Sequence, residues 1–168
     1  MTHALPSLLL GKLREQVDRL DHLLALVPPD TLSWQPLAPT AATPLNELLG
    51  HLLECLAGFC ATLHAVYPQQ LAHFTRLREW PVNHPCTIEE AHGRTREYMR
   101  HVEEGFRLLS DKDLSRRIPT VFVPSGEAVL TVLLGNLEHL TNHKHQLFLY
   151  LKMLGVPVTT RDLYTWRG

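Results

Sequence analysis

The length, composition and charge of this chain restrict its class: it has 168 residues, 45% of them hydrophobic, and 16 Lys and Arg against 17 Asp and Glu. This length fits a single domain covering residues 1–168. Balanced charge without a basic patch argues against nucleic-acid binding, and no run approaches the roughly 20 apolar residues of a membrane span, so no membrane association is predicted.

The first helix and the connection after it are predicted from apolar spacing and prolines. Apolar residues recur at helical spacing over residues 7–27, and two consecutive prolines end that pattern. Residues 28–43 contain four prolines and no periodicity, which predicts an extended connection across one end of a bundle. We expect this connection to lay its apolar side chains against the bundle, namely Leu32, Trp34 and Leu37.

The second helix is predicted to begin at Thr43 as the N-cap, with Pro44 at the first helical position. His51 lies beside the apolar stripe of this helix and can face a bundle interior without occupying its most apolar centre. The residues of that stripe recur at helical spacing: Leu45, Leu48, Leu52, Leu56, Phe59 and Leu63.

The middle of the chain predicts a second long connection, a third helix and a loop. Residues 69–85 are mixed in composition, with a short helical turn around residues 72–79. The run Thr87-Ile-Glu-Glu is a capping box that begins helix 3. The loop of residues 111–125 contains an apolar patch at residues 118–123, which is extended or hairpin-like and could close over a pocket.

The fourth helix is predicted over residues 127–154, and Gly155 ends it. His139 and His143 lie one turn apart on one face of this helix, whereas His145 points to the opposite, polar face. Four helical patterns with little strand signal predict an all-α four-helix bundle, with long connections between helices 1 and 2 and between helices 2 and 3.

Three inward histidines on two helices suggest a metal site. If helices 2 and 4 are neighbours, His51, His139 and His143 can offer three imidazoles to one ion and leave coordination positions open, as catalytic sites require. A plainer interpretation also stands. With 11 histidines in the chain, about one pair at this spacing arises by chance, and a single His beside an apolar face is usually hydrogen-bonded to a carbonyl or carboxylate.

Residues around these histidines have both functional and plain interpretations. Cys55 is a candidate nucleophile or fourth ligand, or a small buried side chain. Glu47 and Glu54 flank His51 by one turn on either side. They are interpreted as hydrogen-bond acceptors or a proton shuttle for the site, or as solvated surface carboxylates. The remaining histidines are predicted to be surface or boundary groups: His3, His22, His64, His73, His84, His92, His101 and His145.

The beginning of the chain and its cysteines bear on location. The first residues lack the basic region and small-residue cleavage site of a signal peptide. The three cysteines, Cys55, Cys60 and Cys86, form no Cys-x-x-Cys motif, as expected of reduced thiols. Both observations predict a cytoplasmic protein.

Four motifs in the same order resemble those of the DinB/YfiT-like four-helix-bundle metalloenzymes. The resemblance places the metal ligands on His51, His139 and His143. One departure is His145, which stands where the family usually has a glycine. The motifs are Leu32-Ser-Trp-Gln-Pro, Thr43-Pro-Leu-Asn-Glu-Leu-Leu-Gly-His-Leu, His139-Leu-Thr-Asn-His-Lys-His-Gln and the ending Leu154-Gly-Val-Pro-Val-Thr-Thr-Arg-Asp-Leu-Tyr.

The resemblance also implies a range of functions. Members of this family bind divalent ions, commonly form homodimers and include transferases that use low-molecular-weight thiols such as bacillithiol or mycothiol. We therefore predict one divalent ion, zinc or nickel ahead of iron or manganese, in a thiol-dependent S-transferase acting on small electrophiles or in a metal-dependent hydrolase. The alternative is a non-catalytic dimeric bundle, a stress-response or binding protein with a structural metal or none.

Overall fold

Four long helices form the body of the protein, and the predicted all-α bundle is confirmed. A computed structural model describes residues 3–37 and 42–165. Within these residues, α2 packs against α3 and α4, and α1 packs against the same two helices, so that the order around the bundle is α1, α3, α2, α4. The helices are α1 (Ala4–Ala25), α2 (Leu45–Val66), α3 (Ile88–Leu108) and α4 (Val129–Met153).

Shorter elements connect these helices. The strands β1 (Arg117–Ile118) and β2 (Glu127–Ala128) pair antiparallel just before α4. Short 3-10 helices and one π-helical turn complete the described chain: Pro29–Thr31, Ala72–Glu79, Asp113–Ser115 and Arg161–Thr165.

Helix α2 is the most apolar element. By length and composition it could cross a membrane, with a mean hydropathy of 1.4 over its best window, but 61% of that window is buried within the protein. Its predicted apolar stripe is buried throughout, and the helix packs against both α3 and α4. This burial is typical of the core helix of a bundle. The cytoplasmic location stays a prediction.

The start of α2 differs from the sequence prediction. The helix begins at Leu45 with Pro44 as its N-cap residue, and no side chain caps it, so the prediction of Thr43 as a capping side chain is wrong. The first two backbone amides of α2 instead donate to the carbonyl oxygens of Trp34 and Leu32, each at 2.9 Å. Backbone carbonyls of the α1–α2 connection therefore accept the hydrogen bonds that a side-chain cap would otherwise accept from these amides.

The α1–α2 connection lies on the bundle only in part. Leu32 and Trp34 are partly buried against the core, as predicted, but Leu37 is fully exposed, and its predicted packing is wrong. The backbone hydrogen bonds that join this connection to α2 come from Leu32 and Trp34, and Leu37 lies beyond them. Residues 38–41 of the predicted connection lie outside the described residues.

The start of α3 confirms half of the predicted capping box. The Thr87 hydroxyl accepts a hydrogen bond from the backbone amide of Glu90 at 3.1 Å. The Glu90 carboxylate does not complete the box, because it accepts hydrogen bonds from His84 at 2.9 Å and from Arg94 at 3.3 Å. The short helical turn predicted around residues 72–79 is present as the 3-10 helix Ala72–Glu79.

The apolar loop before α4 is a small hairpin, one of the two predicted forms. Ile118 is buried, whereas Val121 and Phe122 are almost fully exposed. This hairpin lies at the beginning of α4, about 15 Å along the helix from His139 at 1.5 Å per residue. The hairpin therefore lies away from the three histidines, and the possibility that residues 118–123 close over a pocket stays a prediction.

The end of α4 is as predicted. Gly155 has a positive φ of 80° and donates its amide to the carbonyl of Lys152 at 3.0 Å. Glycine adopts this left-handed conformation without steric cost, which explains why the helix ends there.

The C-terminal segment is fastened to the bundle by buried polar groups. Lys144 on α4 is only 1% exposed, and its ammonium group donates to Gln16 at 2.7 Å and to the carbonyl of Leu163 at 3.3 Å. Burial, followed by the nearby Arg19, lowers the pKa of Lys144 to about 8. These contacts attach the last turn of the described chain to α1 and α4.

Asp113 organises the turn after α3. Its carboxylate accepts hydrogen bonds from the Ser110 amide at 3.0 Å, the Ser110 hydroxyl at 2.5 Å and the Tyr67 hydroxyl at 2.7 Å. Partial burial opposes ionisation of Asp113, but these hydrogen bonds and Arg116 outweigh it and hold its pKa at about 2.

We expect Asp113→Asn to lower the free energy of unfolding at pH 7 by roughly 1–3 kcal/mol, because buried donors lose their charged acceptor. The pKa of Asp113 is about 2 in the folded protein, below its ordinary value of 3.8. The carboxylate therefore stabilises the fold at pH values above the unfolded-state pKa, and this stabilisation is lost as the pH falls through the folded-state pKa. Urea unfolding at pH 7 and at low pH measures the difference, which should shrink on acidification. The exposed Asp30→Asn is the control, and an equal loss in both variants would contradict the assignment.

Candidate metal centre

The packing of α2 against α4 brings the three predicted ligands together. The Nε2 atom of His51 lies 3.1 Å from Nε2 of His139 and 3.0 Å from Nε2 of His143. All three rings are partly buried. Tetrahedral binding with metal–nitrogen distances of about 2.0–2.1 Å separates the ligand nitrogens by about 3.3 Å. The three imidazoles are therefore spaced for one shared ion.

The hydrogen bonds on the outer side of two rings determine which nitrogen carries the proton. Nδ1 of His51 donates to Asn83 Oδ1 at 2.6 Å and lies 3.0 Å from the Glu54 carboxylate. Nδ1 of His143 donates to Gln146 Oε1 at 2.9 Å. In the neutral rings both Nε2 atoms thus present lone pairs to each other. Lone pairs at this distance repel, and a cation between them converts that repulsion into attraction.

Burial keeps the α4 histidines in the form that binds metal. It lowers the pKa of His139, and the neighbouring His51 lowers it further. Burial is also the main cause of the lowered pKa of His143, opposed by the hydrogen bond to Gln146. Both imidazoles are consequently neutral near pH 7, as ligand nitrogens must be.

A chain of hydrogen bonds holds the His143 ring in place. Gln146 accepts from His143 and donates to the Tyr150 hydroxyl at 3.0 Å, and Tyr150 donates to the carbonyl of Thr43 at 2.9 Å. Trp34 packs edge-on against Tyr150, with ring centroids 5.3 Å apart. The chain links α4 to the α1–α2 connection, so this connection supports the site although it supplies no ligand.

Asn83 is a site residue that sequence reasoning missed. It has a positive φ of 55° and donates its amide to the carbonyl of Gly50 at 3.3 Å. The segment around Asn83 lies directly on α2 because Gly50 has no side chain: a Cβ there would lie 2.9 Å from the backbone nitrogen of His84. A glycine inside a helix, immediately before a candidate ligand, was the available signal.

The two glutamates that flank His51 have different positions. Glu54 contacts the outer nitrogen of His51 at 3.0 Å, where a carboxylate orients a ligand ring and increases its basicity. Glu47 instead lines a cavity of about 190 Å³ beside the histidines, together with Asn83 and Gln146. Glu54 therefore contacts a candidate ligand, and Glu47 lines the space where a small molecule could bind.

Cys55 is a small buried side chain and His145 is a surface residue, as the sequence predicts if neither belongs to the site. Cys55 is buried, its thiol donates to the carbonyl of His51 at 3.5 Å, and burial followed by the charge of Glu54 raises its pKa to about 12. A thiol in this state is protonated and a poor nucleophile. His145 is exposed and lies near Phe148 rather than the other histidines, as its helical phase predicts.

Comparison with known proteins identifies the family and the fold. The family model of the DinB superfamily matches residues 12–147. The chain belongs to the DinB superfamily. Its fold is similar to that of YjoA, a DinB-like protein from Bacillus subtilis, with a TM-score of 0.66. The two chains are 18% identical in sequence, and the match covers 89% of this chain and 96% of the YjoA chain. No curated protein sequence gives a significant match.

We expect Gly50→Ala to displace the segment that carries Asn83 and so release the outer side of His51. Loss of such an orienting partner weakens metal binding by roughly 10- to 100-fold. Isothermal titration with zinc measures the change. Gly93→Ala is the matched control, because Gly93 is also in a helix and a Cβ there would meet nothing within 4 Å. Unchanged zinc affinity in a folded Gly50→Ala protein would refute the role assigned to Asn83.

Proposed function

We propose that this protein is a metalloenzyme in which His51, His139 and His143 hold one divalent ion. The observation that carries the proposal is the convergence of three Nε2 atoms, two of them forced by their outer hydrogen bonds to present lone pairs to each other. Nitrogen-ligand sites generally bind Ni²⁺ and Zn²⁺ more tightly than Mn²⁺ or Fe²⁺, so zinc or nickel are the first candidates, ahead of iron or manganese. Three neutral ligands also leave coordination positions open.

The reaction that we propose first is transfer of a low-molecular-weight thiol to a small electrophile. A bound cation with an open position lowers the pKa of a thiol and holds the thiolate for attack. Glu47, which is exposed and lines the cavity, is the group placed to accept the thiol proton. A sulfur–carbon bond then forms as the leaving group departs with its electron pair.

The size of the cavity supports a small reacting group. At about 190 Å³ it is below the roughly 300–1,000 Å³ of sites that enclose a drug-sized ligand. It fits the reacting end of a thiol, with the remainder of the molecule extending into solvent. Water in the same position would give a metal-dependent hydrolase, which is the second candidate, with Glu47 as the general base.

A non-catalytic bundle with a structural metal is the alternative from another class. A structural ion contributes to folding, so its removal lowers the melting temperature strongly. The core beside the histidines is already closed by apolar packing of α2 against α3 and α4, which favours a site that the fold does not need for stability. The homodimer remains a proposal, and the exposed α4 side chains Leu134, Leu149 and Met153 are candidates for its interface.

Metal content tests the ligand set directly. We expect His51→Ala and His143→Ala to hold one equivalent of divalent metal less than the wild-type protein, because two imidazoles cannot retain the ion at micromolar concentration. Inductively coupled plasma mass spectrometry of the purified proteins measures this. His145→Ala removes an exposed imidazole from the same helix and should match the wild type. Equal metal content in all four proteins would remove the site.

Activity tests the proposed chemistry. With monochlorobimane as the electrophile and a panel of low-molecular-weight thiols, we expect chelation to abolish conjugation while changing the melting temperature little. Glu47→Gln should lower kcat by roughly 10²- to 10⁴-fold, the usual contribution of a general base, with metal content unchanged. Glu138→Gln, exposed on the outer face of α4, is the control.

The outcomes separate the candidates. Conjugation that survives chelation would refute the metal-dependent transferase. Absence of conjugation with every thiol, together with hydrolysis of ester or amide substrates, would favour the hydrolase. Absence of both activities, combined with a large fall in melting temperature on chelation, would favour the structural alternative.

A further inference from the structure

A second group of metal-binding residue types lies on another face of the bundle. His73 is on the 3-10 helix Ala72–Glu79, in the connection between α2 and α3, and His101 and Glu104 are on α3. One ligand atom from each residue lies within 4.8 Å of the other two. The Glu104 carboxylate is 3.1 Å from Nε2 of His73 and 3.7 Å from Nδ1 of His101.

His101 is the unusual member of this group. It was predicted to be a surface or boundary residue, but it is only 7% exposed and its ring packs against Phe74 and Trp80, with centroids 5.1 Å and 6.3 Å away. Its Nδ1 atom is buried without a hydrogen-bond partner among the described residues. A buried polar atom in this state is uncommon and requires an explanation. This nitrogen lies on the side of the ring that approaches Glu104.

We propose that His73, His101 and Glu104 form a second divalent-cation site, separate from the three-histidine centre, that takes a zinc-like ion. Zinc binds histidine nitrogen and carboxylate oxygen at about 2.0–2.2 Å, which separates neighbouring ligand atoms by about 3.3–3.6 Å in tetrahedral geometry. The observed separations of 3.1 and 3.7 Å bracket this range. Water completes the coordination, since Glu104 and His73 are partly exposed to solvent.

Metal binding at His101 requires the tautomer in which Nε2 carries the proton. Nδ1 must present its lone pair to the ion, so Nε2 carries the proton, and the Glu97 carboxylate lies 3.4 Å from Nε2 to accept it. A carboxylate on the outer nitrogen is the usual support for a metal-binding histidine. Burial and then the charge of Arg100 lower the pKa of His101, which keeps the ring neutral.

Arg100 opposes metal binding at this site. Its guanidinium lies 3.0 Å from Nε2 of His101, where it favours the other tautomer and repels a cation. The Arg100 side chain is 59% exposed and also bound to Glu97, so it can turn away from the ring while keeping the Glu97 contact. The site should therefore bind metal more tightly when Arg100 is replaced.

A third cluster is less suited to a cation. His84, Cys86 and Glu90 also bring ligand atoms within 4.8 Å. There, however, the Arg94 guanidinium contacts the Glu90 carboxylate at 3.3 Å, so a cation is already paired with the carboxylate of that cluster. The carboxylate also accepts from His84 at 2.9 Å. The His73 cluster lacks such a cation on Glu104, whose described ion pairs are with histidines.

The ion would join the α2–α3 connection to α3. His73 belongs to the connection, and the other two ligands belong to one face of α3. The next residue, Phe74, is buried in the core, so the cross-link would hold the 3-10 helix in its packed position. An ion that binds only the folded protein raises the melting temperature, and the rise increases with the concentration of free metal.

The test removes the three-histidine centre first. In the double variant His51→Ala/His143→Ala, titration of metal-free protein with Co²⁺ followed by absorption spectroscopy should show one remaining equivalent, and Zn²⁺ should raise the melting temperature. Adding Glu104→Gln or His73→Ala should abolish both signals. These two side chains are 36% and 44% exposed, so their replacement does not open the core as replacement of His101 would. Adding His145→Ala is the control and should leave both signals unchanged.

Two further variants distinguish a metal site from a general effect on folding. In the same background, Arg100→Gln should tighten Co²⁺ binding and Glu97→Gln should weaken it, each by several-fold. The proposal is overturned if the double variant binds no Co²⁺, or if Glu104→Gln and His73→Ala leave binding unchanged. Neither result would affect the three-histidine centre, which the metal content of the single variants tests independently.

Discussion

In the three-histidine centre, the packing of α2 against α4 holds imidazole nitrogens so close together that their lone pairs repel each other. Two imidazole lone pairs face each other across the α2–α4 interface, and their Nε2 atoms are 3.0 Å apart. Asn83, Glu54 and Gln146 fix this arrangement from outside, because each accepts from or approaches an Nδ1 atom. Protonation of one ring would relieve the repulsion, but burial lowers the pKa of both α4 histidines. A metal ion between the rings would convert this repulsion into attraction.

Helical phase was sufficient to predict that the three histidines converge, but not which residues contact their outer nitrogens. His139 and His143 share a face because they lie four residues apart, and His51 borders the apolar stripe of a helix long enough to be recognised from its sequence. Asn83 lies in a connection without periodicity. Its position depends on the close contact of that connection with Gly50, and a contact between distant segments leaves no regular spacing to detect.

The other sequence predictions likewise succeeded for local features and failed where distant segments make contact. The helices and the apolar stripe of α2 follow from local spacing, and the structure has them within a few residues of the expected bounds. Local rules failed where another segment supplied the partner. The amides that Thr43 was expected to cap are bonded to carbonyls of the preceding connection. Likewise, His101 was predicted to be a boundary residue, but Phe74 and Trp80 of the preceding α2–α3 connection cover its ring.

The α2–α3 connection contributes residues to both histidine groups. One end of it carries His73 to the second group, and the other carries Asn83 to the outer nitrogen of His51. If both groups bind metal, each ion favours the packed position of the same stretch of chain. By reciprocal linkage, filling one site would then increase the affinity of the other by the same factor. A connection without a catalytic group of its own would make the two sites a cooperative pair.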